Sequence, residues 1–442
     1  DKCILCRRCE TMCTEIQKVG VLSGVNRGFE TMVSTFFNED MSETNCSFCG
    51  QCVAVCPTGA LTEVNNIDLV WNELDNNEKV VVVQVAPAVR VALGEEFGLN
   101  PGEVTTGKIV SALRLLGFKY VFDTNFAADI TIIEEASEFI HRLKENKNLP
   151  ILTSCCPAWI NYLEHHYPDL LNLASSCKSP QNIFGAVAKN YFSKKINLTP
   201  DDITVVSVMP CIAKKYEVAR EELGNDGVSD VDISITTREL AKMIKQAGID
   251  FLSLEDGTFD SPMGESTGAA DIFGATGGVL EAALRTSYEW VTGNNLDCVN
   301  FESDRGFDGI KEANINIDGT IVNVCAASSL GNAKQIMDEV KSGNSKYQII
   351  EIMACPGGCV AGGGQPYHCG DYNKIKSRAQ GLYGIDAGKE IRKSHENPSV
   401  NKLYDEFFGE PYSNLAHKYL HTHYFDKSDF FKNSEELAEV TD

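Results

Sequence analysis

From Lys79 onward the chain alternates between two hydrophobic rhythms. The run K-V-V-V-V-Q-V (Lys79 to Val85) is apolar at successive positions, as in a strand buried on both faces, and Ala86-Pro87 ends it. Ile109, Leu113 and Leu116 then recur at helical spacing and predict a helix over Thr106 to Leu116. The pattern returns to strand at Tyr120-Val121-Phe122, to helix over Ile130 to Leu143, and to a short strand at Ile151-Leu152-Thr153. Helices over Ala158 to His166 and Gln181 to Tyr191 follow, then a strong strand from Ile203 to Val208. Strands separated by helices predict a largely parallel sheet covered on both faces. The Gly- and acid-rich stretch Leu254 to Gly278 reads as irregular connection. Strands near Ile315 to Val324 and Tyr347 to Met353 predict a second α/β lobe. From Tyr372 the pattern is polar, aromatic-dotted and helical, as expected of a tail that wraps the body.

Composition narrows the class. A chain of 442 residues allows about three domains, and 43% hydrophobic with 23% charged residues is ordinarily globular. The net charge of −23 leaves no basic footprint for nucleic acid. No apolar run reaches bilayer length and no cleavable signal opens the chain, so a cytoplasmic protein without membrane insertion is expected. The opening Asp1-Lys2-Cys3 carries no methionine, as expected of a piece of a longer polypeptide.

The 17 cysteines change the picture, because a chain this long is not a small disulfide scaffold. Cys3, Cys6, Cys9 and Cys13 stand as C-x2-C-x2-C-x3-C, and Cys46, Cys49, Cys52 and Cys56 repeat the spacing, followed by Pro57. This is the bacterial-ferredoxin run, in which three cysteines of a motif hold one [4Fe–4S] cluster and the fourth ligates the other. The expected sets are Cys3, Cys6, Cys9 with Cys56, and Cys46, Cys49, Cys52 with Cys13. A zinc site or disulfides would not call for the third and fourth cysteines at these offsets. Thr14 departs from the run where the second motif has proline, and the link from Cys13 to Cys46 is long for a compact ferredoxin. Residues 1–78 are expected to form a small α+β ferredoxin-like domain that conducts electrons.

Three more cysteine motifs fall where predicted strands end, the places where an α/β sheet binds ligands. They are T-S-C-C-P-A-W (Thr153 to Trp159), V-M-P-C-I-A-K-K-Y-E (Val208 to Glu217) and E-I-M-A-C-P-G-G-C-V-A-G-G-G-Q-P (Glu351 to Pro366). Four of these cysteines would complete a further [4Fe–4S] cluster. Of the adjacent Cys155 and Cys156, one should face something else. The glycines of the last motif suit backbone that bends sharply or approaches something closely. No His-plus-carboxylate constellation offers a site for another redox metal. The stretch Gly274 to Leu284 looks like a phosphate loop but lacks G-K-[ST], which argues against nucleotide binding.

In order, these motifs resemble the three signatures of the [FeFe]-hydrogenase family, and the likeness runs through nearly the whole chain. The resemblance implies a two-lobed α/β catalytic domain over 79–372, with mostly parallel sheets flanked by helices and the active site between the lobes. It also implies a helical, small-subunit-like segment over 373–442. The implied cofactor is an H-cluster, a [4Fe–4S] cube joined through a cysteine sulfur to a two-iron unit with CO, cyanide and dithiolate amine ligands. Cys156, Cys211, Cys355 and Cys359 would hold the cube, with Cys359 bridging to the two-iron unit. Ala86, Pro87, Gln181, Met209, Phe273 and Met353 would surround that unit, and the Lys214 ammonium would donate to a cyanide. Without the motif, Lys214 would read as an exposed lysine beside Lys215. Ala88 stands where some relatives have serine, so one cyanide hydrogen bond is expected to be missing.

Protons need their own path. Glu135, Glu138 and Arg142 share one face of the predicted helix, a spacing that by itself more often marks a solvated surface. The resemblance makes them part of a proton route from Cys155 through Glu135, Ser175 and Glu138 to Arg142, with Ser176 an adjacent alternative to Ser175. A thiol such as Cys155 can exchange a proton near neutral pH.

The implied activity is reversible H2 oxidation and proton reduction. The implied electron partner is ferredoxin or an NAD(P)H-linked subunit. An H2 sensor is a competing reading, against which Cys155 stands, because sensory relatives tend to lose it. A non-catalytic iron–sulfur relative used in cluster assembly is another, against which the complete cysteine set stands. Cys177, Cys298, Cys325 and Cys369 remain and are expected to be buried small hydrophobes.

Overall fold

The computed structural model describes residues 2–76, 78–296, 299–300, 306, 308–317 and 319–429. Cys298 and the tail beyond 429 lie outside the described residues.

The front segment is built from cysteine loops, short helical turns at Arg8–Thr11 and Gln51–Ala54, and an antiparallel hairpin of Ser23–Val25 with Met32–Ser34. The two loops repeat one backbone path. Leu5 and Arg7 have φ of 53° and 56°, and Phe48 and Gly50, at the same offsets in the second motif, have 55° and 71°. Left-handed residues at these offsets curl each loop around its thiols, although Leu5, Arg7 and Phe48 carry the steric cost of a Cβ there.

Behind this segment stand two four-stranded sheets. The first runs Tyr120–Asp123, Val80–Val85, Ile203–Met209, Ile233–Thr236, all parallel. Val81, Val83 and Val85 pack on Ile109, Leu113, Leu240 and Met243, while Val82 packs on Phe126, Ile130, Phe184 and Val187 across the other face. Burial on both faces explains why this strand reads as a continuous apolar run rather than an alternation. The second sheet runs Ile310–Ile317, Thr320–Ser328, Ile349–Met353, Ile151–Leu152. Its first pair is antiparallel and the other two are parallel. Trp159, Leu163 and Met337 cover one face, and Leu280, Leu284 and Phe139 the other. The mostly parallel, helix-flanked architecture expected from the sequence is therefore the one that forms.

Several boundaries differ from expectation. The helix expected from Ile130 begins at Thr124 and runs to Glu145, because the Asp123 side chain accepts the Asn125 N–H and caps it. Its first turns are buried all round, which hides the helical period. The helix expected to Tyr191 ends at Val187 and widens into a π-turn over Ala188–Phe192. The strand expected near 315–324 is a hairpin of two longer strands, joined where Asp318-Gly319 stands in the sequence. The supposed irregular stretch to Gly278 contains a helical turn at Gly268–Asp271 and a 3₁₀ turn at Ile272–Gly274, both too short to show a period.

The tail is bound to the body by buried ion pairs. Arg378 grips Glu95 at 2.6 and 2.9 Å and the carbonyls of Val360 and Pro366 at 2.9 and 3.0 Å. Arg285 meets both oxygens of Asp386 at 3.0 Å. Leu403, Tyr404 and Leu420 complete the core beneath the first sheet. Among the described residues no helix is long and apolar enough to cross a membrane.

Candidate metal centre

Strands of both sheets end at one cavity of about 80 Å³. From the first sheet come Ala86 and Pro87 after Val85, and Met209 and Cys211 at the end of Ile203–Met209. From the second come Cys155 and Cys156, a few residues after Leu152, and Met353 with Cys355. Cys359, Gln181, Phe273 and Lys214 complete the set, so every residue expected around the cube and the two-iron unit lines this space. Ala88 lines it too.

The donor set fits a thiophilic metal cluster. Burial, then repulsion from Cys156, pushes the Cys211 thiol up to about 12, and burial pushes Cys355 and Cys359 up as well. Four thiols crowded in a largely apolar space resist becoming thiolates together even beside the Lys214 ammonium, and iron is the kind of centre that would relieve this. The Ala354 N–H already points to Cys156 Sγ at 3.5 Å, the donor an iron-bound thiolate uses. Lys214 is buried, not an exposed lysine. Its Nζ donates to Glu217 Oε2 at 2.8 Å and to the Cys155 carbonyl at 3.1 Å, and the Glu217 charge overcomes burial to hold the ammonium's pKa up. Lys215 turns away to Glu239.

Glu217 is the residue that sequence reasoning missed. It also accepts from Ser179 Oγ at 2.9 Å and from Gln181 Nε2 at 2.8 Å, the latter a polar group of the cavity wall. Its position three residues after Lys214, a helical contact distance, was the available signal.

The front cysteines fall into two groups. Cys13, Cys46, Cys49 and Cys52 enclose one small cavity, with burial raising Cys46 to about 11 and Cys49 to about 12. Cys6 and Cys56 both act on the charge of Cys9, and Cys3, on the same loop, is exposed. Burial works against the Cys56 thiolate, but the N–H groups of Leu61, Thr58 and Ala60 bring it down to about 7. The buried group is the nearer to the central cavity, since Cys49 acts on Cys355.

A polar chain leaves the cavity on another side. Cys155 is buried, which pushes its thiol up, and Glu135 is the next cause. The Glu135 carboxyl is itself pushed up to about 8, by burial and then by Glu138, with Ser175 opposing. Ser175 Oγ donates to Glu138 Oε2 at 3.0 Å, and Arg142 Nη2 donates to Glu138 Oε1 at 2.6 Å. The Ser176 hydroxyl instead meets His421 Nδ1 at 2.8 Å, and only its N–H reaches Glu138.

Other chemistry-bearing residues are accounted for. The N–H groups of Gly277 and Leu280, where a phosphate loop would bind, are both taken by Glu351 at 2.7 Å. Glu289, His395 and Glu396 bring ligand-type atoms within 4.8 Å, but the Lys393 ammonium sits on Glu289 at 2.5 Å and supplies their positive charge. Cys177 and Cys325 are buried as expected. Cys369 is not: it is exposed, at φ 51°, in the tight turn that follows the glycine run.

Comparison with known proteins follows the same division. Residues 79–363 match the family described as "Iron only hydrogenase large subunit, C-terminal domain". Residues 372–427 match "Iron hydrogenase small subunit", and residues 2–60 match "4Fe-4S dicluster domain". The NADP-reducing hydrogenase subunit HndD of Solidesulfovibrio fructosivorans is 55% identical over 433 residues, covering 97% of this chain and 74% of its own. Iron hydrogenase 1 of Clostridium pasteurianum is 44% identical over 427 residues, covering 96% and 74%. An apo-form variant of the Chlamydomonas reinhardtii [FeFe]-hydrogenase superposes with a TM-score of 0.74 at 42% identity, covering 82% of this chain and 99% of that one. More distantly, a cytosolic Fe-S cluster assembly factor of Xenopus tropicalis is 32% identical over 398 residues, covering 86% and 83%. With its cysteine motifs, its fold and these relatives in agreement, the chain belongs to the iron-only, or [FeFe]-, hydrogenase family.

Proposed function

We propose that the chain is the catalytic subunit of an [FeFe]-hydrogenase that interconverts H2 with two protons and two electrons. The observation that carries this reading is the convergence of Cys156, Cys211, Cys355 and Cys359 with Cys155 and Lys214 in one cavity, beside the Ser175–Glu138–Arg142 chain. On this reading those four cysteines would hold the iron–sulfur part of an H-cluster, with Cys359 the one that would also serve its two-iron unit, which carries CO, cyanide and dithiolate amine ligands. When bound, that cofactor supplies the redox-active iron at which H2 is formed or split.

The chain's own residues do the rest. Met209, Met353, Phe273, Ala86 and Pro87 keep bulk water from the cavity, and the Lys214 ammonium offers a fixed positive charge to an anionic ligand. Cys155 holds a proton at Sγ, because burial keeps its thiol neutral. Glu135 also holds a proton at neutral pH and can hand it toward the Ser175 hydroxyl. Ser175 Oγ donates to Glu138, which Arg142 holds in place.

The front cysteines would hold two further [4Fe–4S] clusters, the exposed set outermost. Their electron partner is ferredoxin or an NAD(P)H-linked subunit, the latter supported by likeness to a subunit named for NADP reduction. Residues 1–78, 79–372 and 373–442 serve as electron-input, catalytic and bracing units.

Infrared spectroscopy of protein matured with the two-iron cofactor tests the reading. Bands of metal-bound CO and cyanide that shift on adding H2 are expected. Occupied [4Fe–4S] sites without such bands would instead support the assembly role suggested by the more distant relatives.

A further inference from the structure

Residues 174–178 carry Ser175 but belong to no helix or regular strand, so each of their backbone groups must find a partner elsewhere. Arg142 takes the carbonyls of Leu173 and Ala174 at 2.9 and 2.8 Å, and Ser154 Oγ takes that of Cys177 at 2.7 Å. The C-terminal stretch supplies three of the remaining partners. The Lys178 N–H donates to the Leu420 carbonyl at 2.8 Å, and the Thr422 N–H donates to the Ser176 carbonyl at 2.7 Å, pairing Cys177 with His421. The Tyr424 hydroxyl donates to the Ser175 carbonyl at 2.8 Å.

The side chains continue the contact. His421 Nδ1 meets Ser176 Oγ at 2.8 Å, while its Nε2 meets Glu134 Oε2 at 3.0 Å. Glu134 is buried and is held in turn by the Tyr404 hydroxyl and the Tyr412 N–H. Farther along, the Phe425 and Lys427 N–H groups donate to Glu164, at Oε1 (3.1 Å) and at the backbone carbonyl (3.0 Å). The strap is thus anchored on both sides of the point where it grips Ser175 and Ser176.

From this we infer that the strap Leu420–Tyr424, with His421 and Tyr424 as positioning residues, sets the geometry at which Ser175 meets Glu138. The inference rests on the proposed reading of that contact as part of a proton route. Neither residue touches the cavity. They act through backbone that, among the described residues, is otherwise held by Leu152, Leu171, Ser154 and the helix bearing Glu138 and Arg142.

The test uses full-length, cluster-loaded protein. Tyr424→Phe deletes one hydroxyl, and His421→Ala removes the Ser176 contact, which His421→Asn keeps by placing an amide atom near the Nδ1 position. The expected result is faster amide hydrogen exchange across 174–178 in the Phe and Ala variants. Their H2 turnover should fall about ten-fold with a larger solvent deuterium isotope effect, because small misplacements of a relay group are costly. Iron content and infrared bands should stay as in wild type, and His421→Asn should recover most of the rate. If His421→Ala fails to load iron, Tyr424→Phe decides alone. Faster exchange at 174–178 with unchanged turnover and isotope effect overturns the inference and leaves the hydrogenase reading intact. A loaded wild type that makes no H2 overturns that reading and the inference with it.

Discussion

Glu135 and Glu138 lie one helical turn apart but in different surroundings. Glu138 has Arg142, Ser175 and the Ser176 N–H around it, whereas Glu135 Oε1 is buried without a partner. Burial, then the nearby Glu138, lifts the Glu135 carboxyl from near 4.5 to about 8. Between those values the folded protein keeps a proton that the unfolded chain releases, so this residue's contribution to stability falls as pH rises through the window. Above about pH 8 the full cost of a buried carboxylate is present. Glu135→Gln should therefore gain thermal stability over wild type at pH 8 and much less at pH 5, read by calorimetry of loaded protein at both values. Equal gains at the two pH values would contradict the assignment. The spacing of Glu135, Glu138 and Arg142 was legible in the sequence because it is local to one helix. The choice between Ser175 and Ser176 was not, because it depends on His421, some 245 residues away.

At the scale of elements, the glycine-rich loop after Ile349–Met353 turns on what its backbone touches. The sequence suggested backbone that bends sharply or approaches something closely, and among protein atoms the tightest approaches are to other loops. A Cβ on Gly362 would lie 2.1 Å from the Pro210 carbonyl oxygen, next to Cys211, and one on Gly358 would lie 2.7 Å from the Thr276 N. Gly358 also has φ 99°, a conformation that side chains disfavour. Gly362→Ala should therefore push the loop bearing Cys359 away from the turn bearing Cys211. The expected outcome is loss of about four irons per chain, seen by iron analysis, with the electron paramagnetic signals of the front clusters retained. Full iron content in that variant would show that the turns can shift without cost. The strands were legible where both faces are buried, as in Val80–Val85, because a continuous apolar run needs no period. The hairpin of Ile310–Ile317 and Thr320–Ser328 was read as one strand, because only Asp318-Gly319 separates its two apolar runs in the sequence.

At the scale of the whole molecule, the front segment and the catalytic body meet through a few buried amides. Gln17 Nε2 donates to the Ala354 carbonyl at 2.9 Å, and its Oε1 accepts from the Leu330 N–H at 2.8 Å. Gln51 Nε2 donates to the Ala361 carbonyl at 3.0 Å, and Phe48 stacks on Tyr216 with ring centroids 5.0 Å apart. These contacts were invisible in the sequence, since glutamines 300 residues from their partners carry no pattern. They place the buried cysteine group against the Cys355 side of the cavity, while Glu135, Ser175 and Glu138 lie beyond Cys155. The two sets of residues thus occupy different walls, and this separation has a consequence for isotope chemistry. Scrambling of D2 with the hydrogens of water needs proton exchange but no net supply of electrons from outside. Gln17→Ala leaves two buried backbone groups unpaired on the sulfur side and should slow dye-linked H2 production while D2 scrambling persists. Glu138→Gln should suppress both by about 100-fold, the scale of a lost proton-transfer group. Mass spectrometry of HD formed by the two variants would read the walls separately, and parallel losses in both assays for Gln17→Ala would mean that they are one.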